Sequence, residues 1–467
     1  MLNNRKLTNI SFIFTSLLIF SFFVLGFIGI LNHELWQDEM QAWMIARDSS
    51  SITELFKNLK YEGHTALWYL CLRFLNSFTH NPLAMQFFHL ILATINIAIF
   101  VVFSPFNKLQ KLLFTFGYFP FYEYNIISRN YNLGVLLFFS FCALFPFRRK
   151  SYFPLAIILA LLAHTNIFSL IIAIVLQLTL LLEIIIVPNS ISLKRRDIAG
   201  FIIVAIGIIG AIVQLRPPTS GVQGNLIAPD TTVWQTIFAQ ISDINRLIEL
   251  ISNVWKAYFP IYQFSSLTES IILIVLSIIL FSVTFKNLIE RPTIKFLYLS
   301  ITILFVIILA FDKSNRFLIL EVINTPALLG SLVSLAILFF LGSWFIQQPV
   351  ILFLYISGTL GIFLFTYSIY YSDNLRHTGH FFLLFLVCLW LQKGKNYTRY
   401  LTKPSNAIIA QYKEQVVTLI FLIHLITGVT TYTNDLIRPF SMSKVTSSYI
   451  ESVNLDTLPN LIQKVNK

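Results

Sequence analysis

The chain has 467 residues, of which 56% are hydrophobic, 15% aromatic and 12% charged, with a mean hydropathy of +0.75. A soluble domain carries about 25% charged residues, so the composition excludes a soluble fold and predicts an all-α, polytopic membrane bundle. The net charge of +12 is spread over short basic clusters between apolar runs, the pattern of cytoplasmic loops, which argues against a nucleic-acid partner.

A membrane-spanning helix needs about 20 apolar residues. The first run, Leu7 to Leu31, is too long for a signal-peptide core and lacks a small-residue cleavage site, so it is expected to remain as a helix. Further spans are predicted at 83–104, 109–122, 131–147, 152–164, 166–187, 198–215, 270–285, 296–311, 317–345, 350–371, 380–392 and 414–432. That makes about 13 spans in all, in a bundle over residues 1–432, followed by a polar tail over 433–467. The segment 65–78 is a shorter candidate that contains Arg73.

With the amino terminus inside, Arg5-Lys6, Arg148-Arg149-Lys150, Lys194-Arg195-Arg196 and the basic stretches 286–295 and 393–413 are expected in the cytoplasm. Four loops then face outward: 32–64, 122–130, 216–268 and 371–380. This parity holds if 65–78, or a neighbouring short segment, does not cross fully. The loop 216–268 opens on the turn residues Pro217-Pro218-Thr219-Ser220-Gly221. It continues with Trp234, Ile237, Phe238, Ile241, Ile248, Ile251 and Trp255 at helical spacing. A helix lying in the membrane surface and a helix packed on the bundle both fit that stripe. Cys71, Cys142 and Cys388 fall in apolar segments and read as packing residues.

The chemistry-bearing residues gather in the outer loops. The first loop carries Asp38-Glu39 at the start of an expected helix. One of the pair can serve as a general base for an acceptor hydroxyl; equally, Asp38 can cap its helix while Glu39 favours the helix dipole. At the loop's end His64, before Trp68 and Tyr69, is a candidate phosphate contact or an interfacial anchor. The second loop holds Glu123, Arg129 and Tyr131. Arg129 suits bidentate contact with a phosphate, or it pairs with Glu123. The third holds Arg376 and His377, with His380 one helical turn on, a cluster suited to a phosphate headgroup. His164, in the break Ala163-His164-Thr165-Asn166, also faces outward or is structural.

An Asp-Glu pair in the first outer loop, His64-Thr65-Ala66-Leu67-Trp68-Tyr69 before the next helix, and Arg129-Asn130-Tyr131 between later helices together resemble the GT-C superfamily of polytopic glycosyltransferases. That superfamily includes the protein O-mannosyltransferases and lipid A aminoarabinose transferases. The chain looks closest to a bacterial branch of such proteins. It lacks the two prolines that often follow the histidine, and it lacks a large soluble carboxy-terminal domain. The resemblance covers roughly residues 1–190 and 371–380. It implies a polyprenyl-phosphate-linked sugar as donor and a glycan, lipid or protein acceptor in the cell envelope. Transfer would occur on the outer face of the plasma or inner membrane, with inversion at the anomeric carbon. Asp38 would be the base, Glu39 its neighbour in the acceptor site, and Arg129 a donor-phosphate contact. Arg376 and His377 join the phosphate site by charge and side alone. Substrate contacts are expected from His64, Glu123, Tyr131 and His380; no particular cofactor is implied, and a divalent cation is admissible. Two other functions share these features: a transporter or lipid flippase, and a polysaccharide polymerase or ligase using a lipid diphosphate.

Overall fold

The structure is a computed structural model that describes residues 2–148, 150–186, 195–216, 244–260, 325–368, 374–393 and 407–452. Among the described residues the chain is all-α, with 17 helices. In chain order they are α1 (Leu2–Asn32), α2 (Gln37–Asp48), α3 (Ile52–Asn58), α4 (Leu67–Asn76), α5 (Leu83–Phe103) and α6 (Lys108–Thr115). A π-helical turn, Tyr118–Glu123, precedes α7 (Tyr131–Leu144), α8 (Phe153–Ala163), α9 (Ile167–Ile186) and α10 (Arg195–Leu215). Then follow α11 (Ile244–Ser252), α12 (Trp255–Tyr258), α13 (Thr325–Ser343), α14 (Pro349–Ser368), α15 (Leu375–Lys393), α16 (Ala407–Ile437) and α17 (Ser443–Ser452).

Among the described residues six helices are long and apolar enough to cross a membrane: Phe12–Asn32, Leu83–Phe103, Ile167–Ile186, Arg196–Leu215, Pro349–Tyr367 and Tyr412–Ile437. They point to a multi-pass membrane protein. Other predicted spans take different forms. The run 109–122 is not one helix: α6 stops at Thr115, Gly117 turns back onto the Phe114 carbonyl, and Pro120 lies in the π-helical turn. The runs 131–147 and 152–164 are shorter apolar helices. The segment 65–78 holds the ten-residue α4, about 15 Å long at 1.5 Å per residue, half of a bilayer core. It is too short to cross a bilayer as a single helix. The predicted spans 270–285 and 296–311, and Trp234 through Ile241, lie outside the described residues.

Within 380–392 the apolar run belongs to α15, whose residues His377 to Leu391 are all buried. A helix apolar all round belongs in the middle of a bundle, and α15 is ringed by α7, α9, α12 and α14. Trp255 is also buried, and its N–H donates to Ser334 Oγ at 3.0 Å. The described part of the 216–268 loop therefore packs on the bundle through α11 and α12.

The helices define two ends. α7 and α15 run in parallel: Tyr131 meets His377 near their starts, and Phe139 meets Trp390 further along. At the far end lie Arg148, Lys150, Arg196, Lys393 and Lys413, tied by Arg148–Glu183, Lys393–Glu414 and Arg196 to the Lys150 carbonyl. At the near end the chain turns at 33–66, 124–130, 164–166 and 374–376. There α2, α3 and α4 close over a second, smaller core of Trp43, Leu55, Leu59, Trp68, Tyr69 and Leu72.

Candidate functional site

Four segments remote in sequence meet at the near end: the start of α2, the turn before α4, the loop before α7 and the first turn of α15. Asp38 is where they join. Its Oδ2 lies 2.9 Å from Arg129 Nη1 and 3.6 Å from Arg376 Nη1. The Asp38 side chain is 37% exposed, against 12% and 13% for the two arginines, so the carboxylate stands at the mouth and the guanidiniums behind it. Each guanidinium makes its closest approach to Oδ2. Oδ1 accepts no hydrogen bond among the described residues.

Arg129 also donates from Nη2 to His64 Nε2 at 3.1 Å. A ring nitrogen that accepts carries no proton, so His64 is neutral and protonated on Nδ1. Burial, with the charges of Arg129 and Arg376, holds its pKa down at about 3. The residue before it, Gly63, has φ +65, a left-handed conformation that glycine adopts without a Cβ clash. Arg376 reaches Glu123 Oε1 with Nε at 3.4 Å and lies 5.0 Å above the Trp36 ring. Glu123 Oε2 accepts from the Tyr118 hydroxyl at 2.7 Å. The Arg129–Glu123 pair considered from sequence does not form, because the chain turns between them, burying Ile126 and Ile127, and each takes a different partner.

Glu39 departs from its expected place in an acceptor site. It is wholly buried, and both its oxygens are engaged. Oε1 accepts from Ser128 N at 2.6 Å; Oε2 accepts from Trp36 N at 3.2 Å and from His33 Nε2 at 3.1 Å. Glu39 thus completes the first turn of α2 in the manner of a capping box, and Asp38 is not the N-cap, which is Trp36. His33 in turn donates from Nδ1 to Asp435 Oδ2 at 2.8 Å. Burial opposes a charge on His33, but Asp435 and Glu39 outweigh it and raise its pKa to about 9. The expected polar tail therefore begins as structure: α16 continues past 432, and Ser441 Oγ donates to the Leu35 carbonyl at 3.0 Å.

His377 and His380 also turn inward. The Tyr131 hydroxyl lies 2.7 Å from His377 Nε2, His380 Nδ1 donates to the His377 carbonyl at 3.0 Å, and Phe168 stacks on both rings. Close approach of α15 to the π-helical turn needs Gly379, since a Cβ there would come within 2.5 Å of the Phe119 ring.

Residues that the sequence reading left without a role complete the site. His89, in α5, sets its two ring nitrogens 3.0 Å from the carbonyls of Asn125 and Arg129, holding the loop that presents Arg129. An ionisable residue within an apolar span is the signal that marks it. Trp36, His33 and Asp435 carry no such signal. Among the described residues no group of three His, Cys, Asp or Glu could hold a metal ion. The carboxylates present do not fit a divalent cation either, because Asp38 and Glu123 both face arginine. No protein-family model matches the chain, and neither a curated protein nor a solved structure matches it.

Proposed function

We propose that the chain is an integral membrane glycosyltransferase of GT-C type that moves a sugar from a polyprenyl-phosphate donor to an envelope acceptor at its outer face. The observation that carries this reading is the Asp38 carboxylate shared by Arg129 and Arg376, which come from separate segments. Two guanidiniums suit the phosphate of the donor. The bond between the anomeric carbon and the phosphate oxygen breaks, the electron pair leaves with the phosphate, and the cations stabilise the charge that develops. The acceptor hydroxyl attacks the same carbon, and its proton passes to Asp38. Phosphate competes with Asp38 for the same N–H groups, so donor binding frees the base it needs. Two buried donors beside the arginines, Trp36 Nε1 and His64 Nδ1, have no acceptor among the described residues and suit an oxygen-rich ligand. The outer placement rests on the basic residues gathered at the opposite end.

The experiment supplies the purified protein, in bilayers, with a polyprenyl-monophosphate sugar or a polyprenyl-diphosphate oligosaccharide. Consumption of the monophosphate donor, weakened in Arg129→Ala through donor KM, supports the proposal. Consumption of the diphosphate alone favours a polymerase or ligase, and consumption of neither with movement of lipid across the bilayer favours a flippase.

A further inference from the structure

A cavity lies away from Asp38, between α3–α4 on one side and α8–α10 on the other. Its volume is about 640 Å³, within the roughly 300–1,000 Å³ of ligand pockets. Its origin is legible in the packing of α8 against α10. Near the basic end these helices touch: a Cβ on Gly200 would come within 3.0 Å of Ala156 and Tyr152, and one on Gly207 within 2.9 Å of Ala160. One turn further on, Gly210 faces only His164, at 3.6 Å. There α8 ends at Ala163 while α10 continues to Leu215. The start of α4 closes the gap without filling it: Ala66 N donates to Gln214 Oε1 at 3.2 Å, and Leu67 N to the His164 carbonyl at 3.1 Å.

The lining is amphiphilic. Leu67, Leu70, Leu161 and Val213 form apolar walls, and Lys60 and Arg216 belong to the same lining. Both cations are exposed, and neither has an ion-pair partner among the described residues. Gln214 Nε2 is a buried donor with no acceptor among the described residues. The cavity adjoins the face of α10 that exposes Ile202, Ile206, Ile209 and Ile212, the face a bilayer would cover. Apolar walls open to lipid, two unpaired cations and an unsatisfied donor match one chemistry: an acyl chain ending in a phosphate.

We propose that this cleft binds an anionic glycerophospholipid of the bilayer, with its phosphate on Lys60 and Arg216 and one acyl chain along Leu161 and Val213. The site does not depend on the reading of Asp38.

Native mass spectrometry of the whole protein tests it, with phosphatidylglycerol, phosphatidylcholine and a polyprenyl phosphate offered at equal concentration. Retention of phosphatidylglycerol is expected to exceed that of phosphatidylcholine. The Lys60→Ala/Arg216→Ala variant, altered only at exposed side chains, is expected to retain about tenfold less, equivalent to about 1.4 kcal/mol. Gly210→Leu, whose Cβ has room, fills the cleft and is expected to abolish retention, while Asp38→Asn leaves it intact. Equal retention of the two phospholipids, preference for the polyprenyl phosphate, or undiminished retention in the double variant overturns the proposal.

Discussion

Arginine meets carboxylate at both ends of α7, with opposite consequences. At the basic end Arg148 and Glu183 form a closed pair: Nε and Nη2 reach the two carboxylate oxygens at 2.7–3.1 Å, and the side chains are 1% and 2% exposed. The Arg148 guanidinium also stacks 4.0 Å from the Phe145 ring. At the other end two arginines converge on one oxygen of Asp38, and the carboxylate is partly open to solvent. The first arrangement satisfies its charges within the protein and has nothing left to offer a ligand. Among the described residues the second leaves an oxygen of Asp38 and two buried donors unsatisfied, which is what a binding site requires.

The sharpest way to break the comparison is to unpair each carboxylate in turn. Arg148→Ala strands a buried Glu183 charge, and the expected loss is about 3–5 kcal/mol, visible as a collapse of folded yield and thermal midpoint in detergent. Near-normal stability would show that Glu183 finds water or another cation, and the closed-pair description would fail.

Glu39→Gln comes next. It keeps the shape but weakens acceptance from Ser128, Trp36 and His33, and a loss of about 2 kcal/mol is expected. An unchanged midpoint with lost turnover would instead return Glu39 to the acceptor site.

His33 supplies a pH test of the same lock. Its pKa is raised from 6.5 to about 9, so its contribution is complete below about pH 6.5 and drains away as pH rises through about 9. The thermal midpoint is expected to fall between pH 7 and 10, and His33→Gln is expected to flatten that fall. A midpoint that holds to pH 10 in the unaltered protein contradicts the bridging imidazolium.

The smallest stability effect is expected at Asp38. Pairs as exposed as this one contribute roughly 0–1 kcal/mol, so Asp38→Asn should unfold within about 1 kcal/mol of the parent. A large loss would make Asp38 another structural acid, and the two ends of α7 would cease to differ.

How far the sequence reaches follows from the range of each interaction. A shared side for Asp38, Arg129 and Arg376 was legible on one condition, that 65–78 or a neighbouring short segment does not cross fully, because loop order and basic clusters constrain sidedness without any side-chain geometry. The division of labour between Asp38 and Glu39 was not. It is decided by Ser128 and by Asp435, an acid 402 positions from His33, and helical spacing says nothing of such partners. Arg148 reads in sequence as one more cytoplasmic cation, and Glu183 as a stray acid, because neither carries a sign of the other. The apolar run 109–122 suggests a span, but it breaks at Gly117 and Pro120, and 152–164 is a single helix that ends at Ala163, short of a full crossing. The burial of α15 on every side is a tertiary fact, and its composition resembles that of a lipid-facing helix.

The central claim, that the open end performs transfer and Asp38 is its base, is tested most directly by Asp38→Asn with a polyprenyl-phosphate sugar donor in bilayers. The variant is expected to insert, keep its thermal midpoint and transfer no sugar. Full transfer by the folded variant would contradict it.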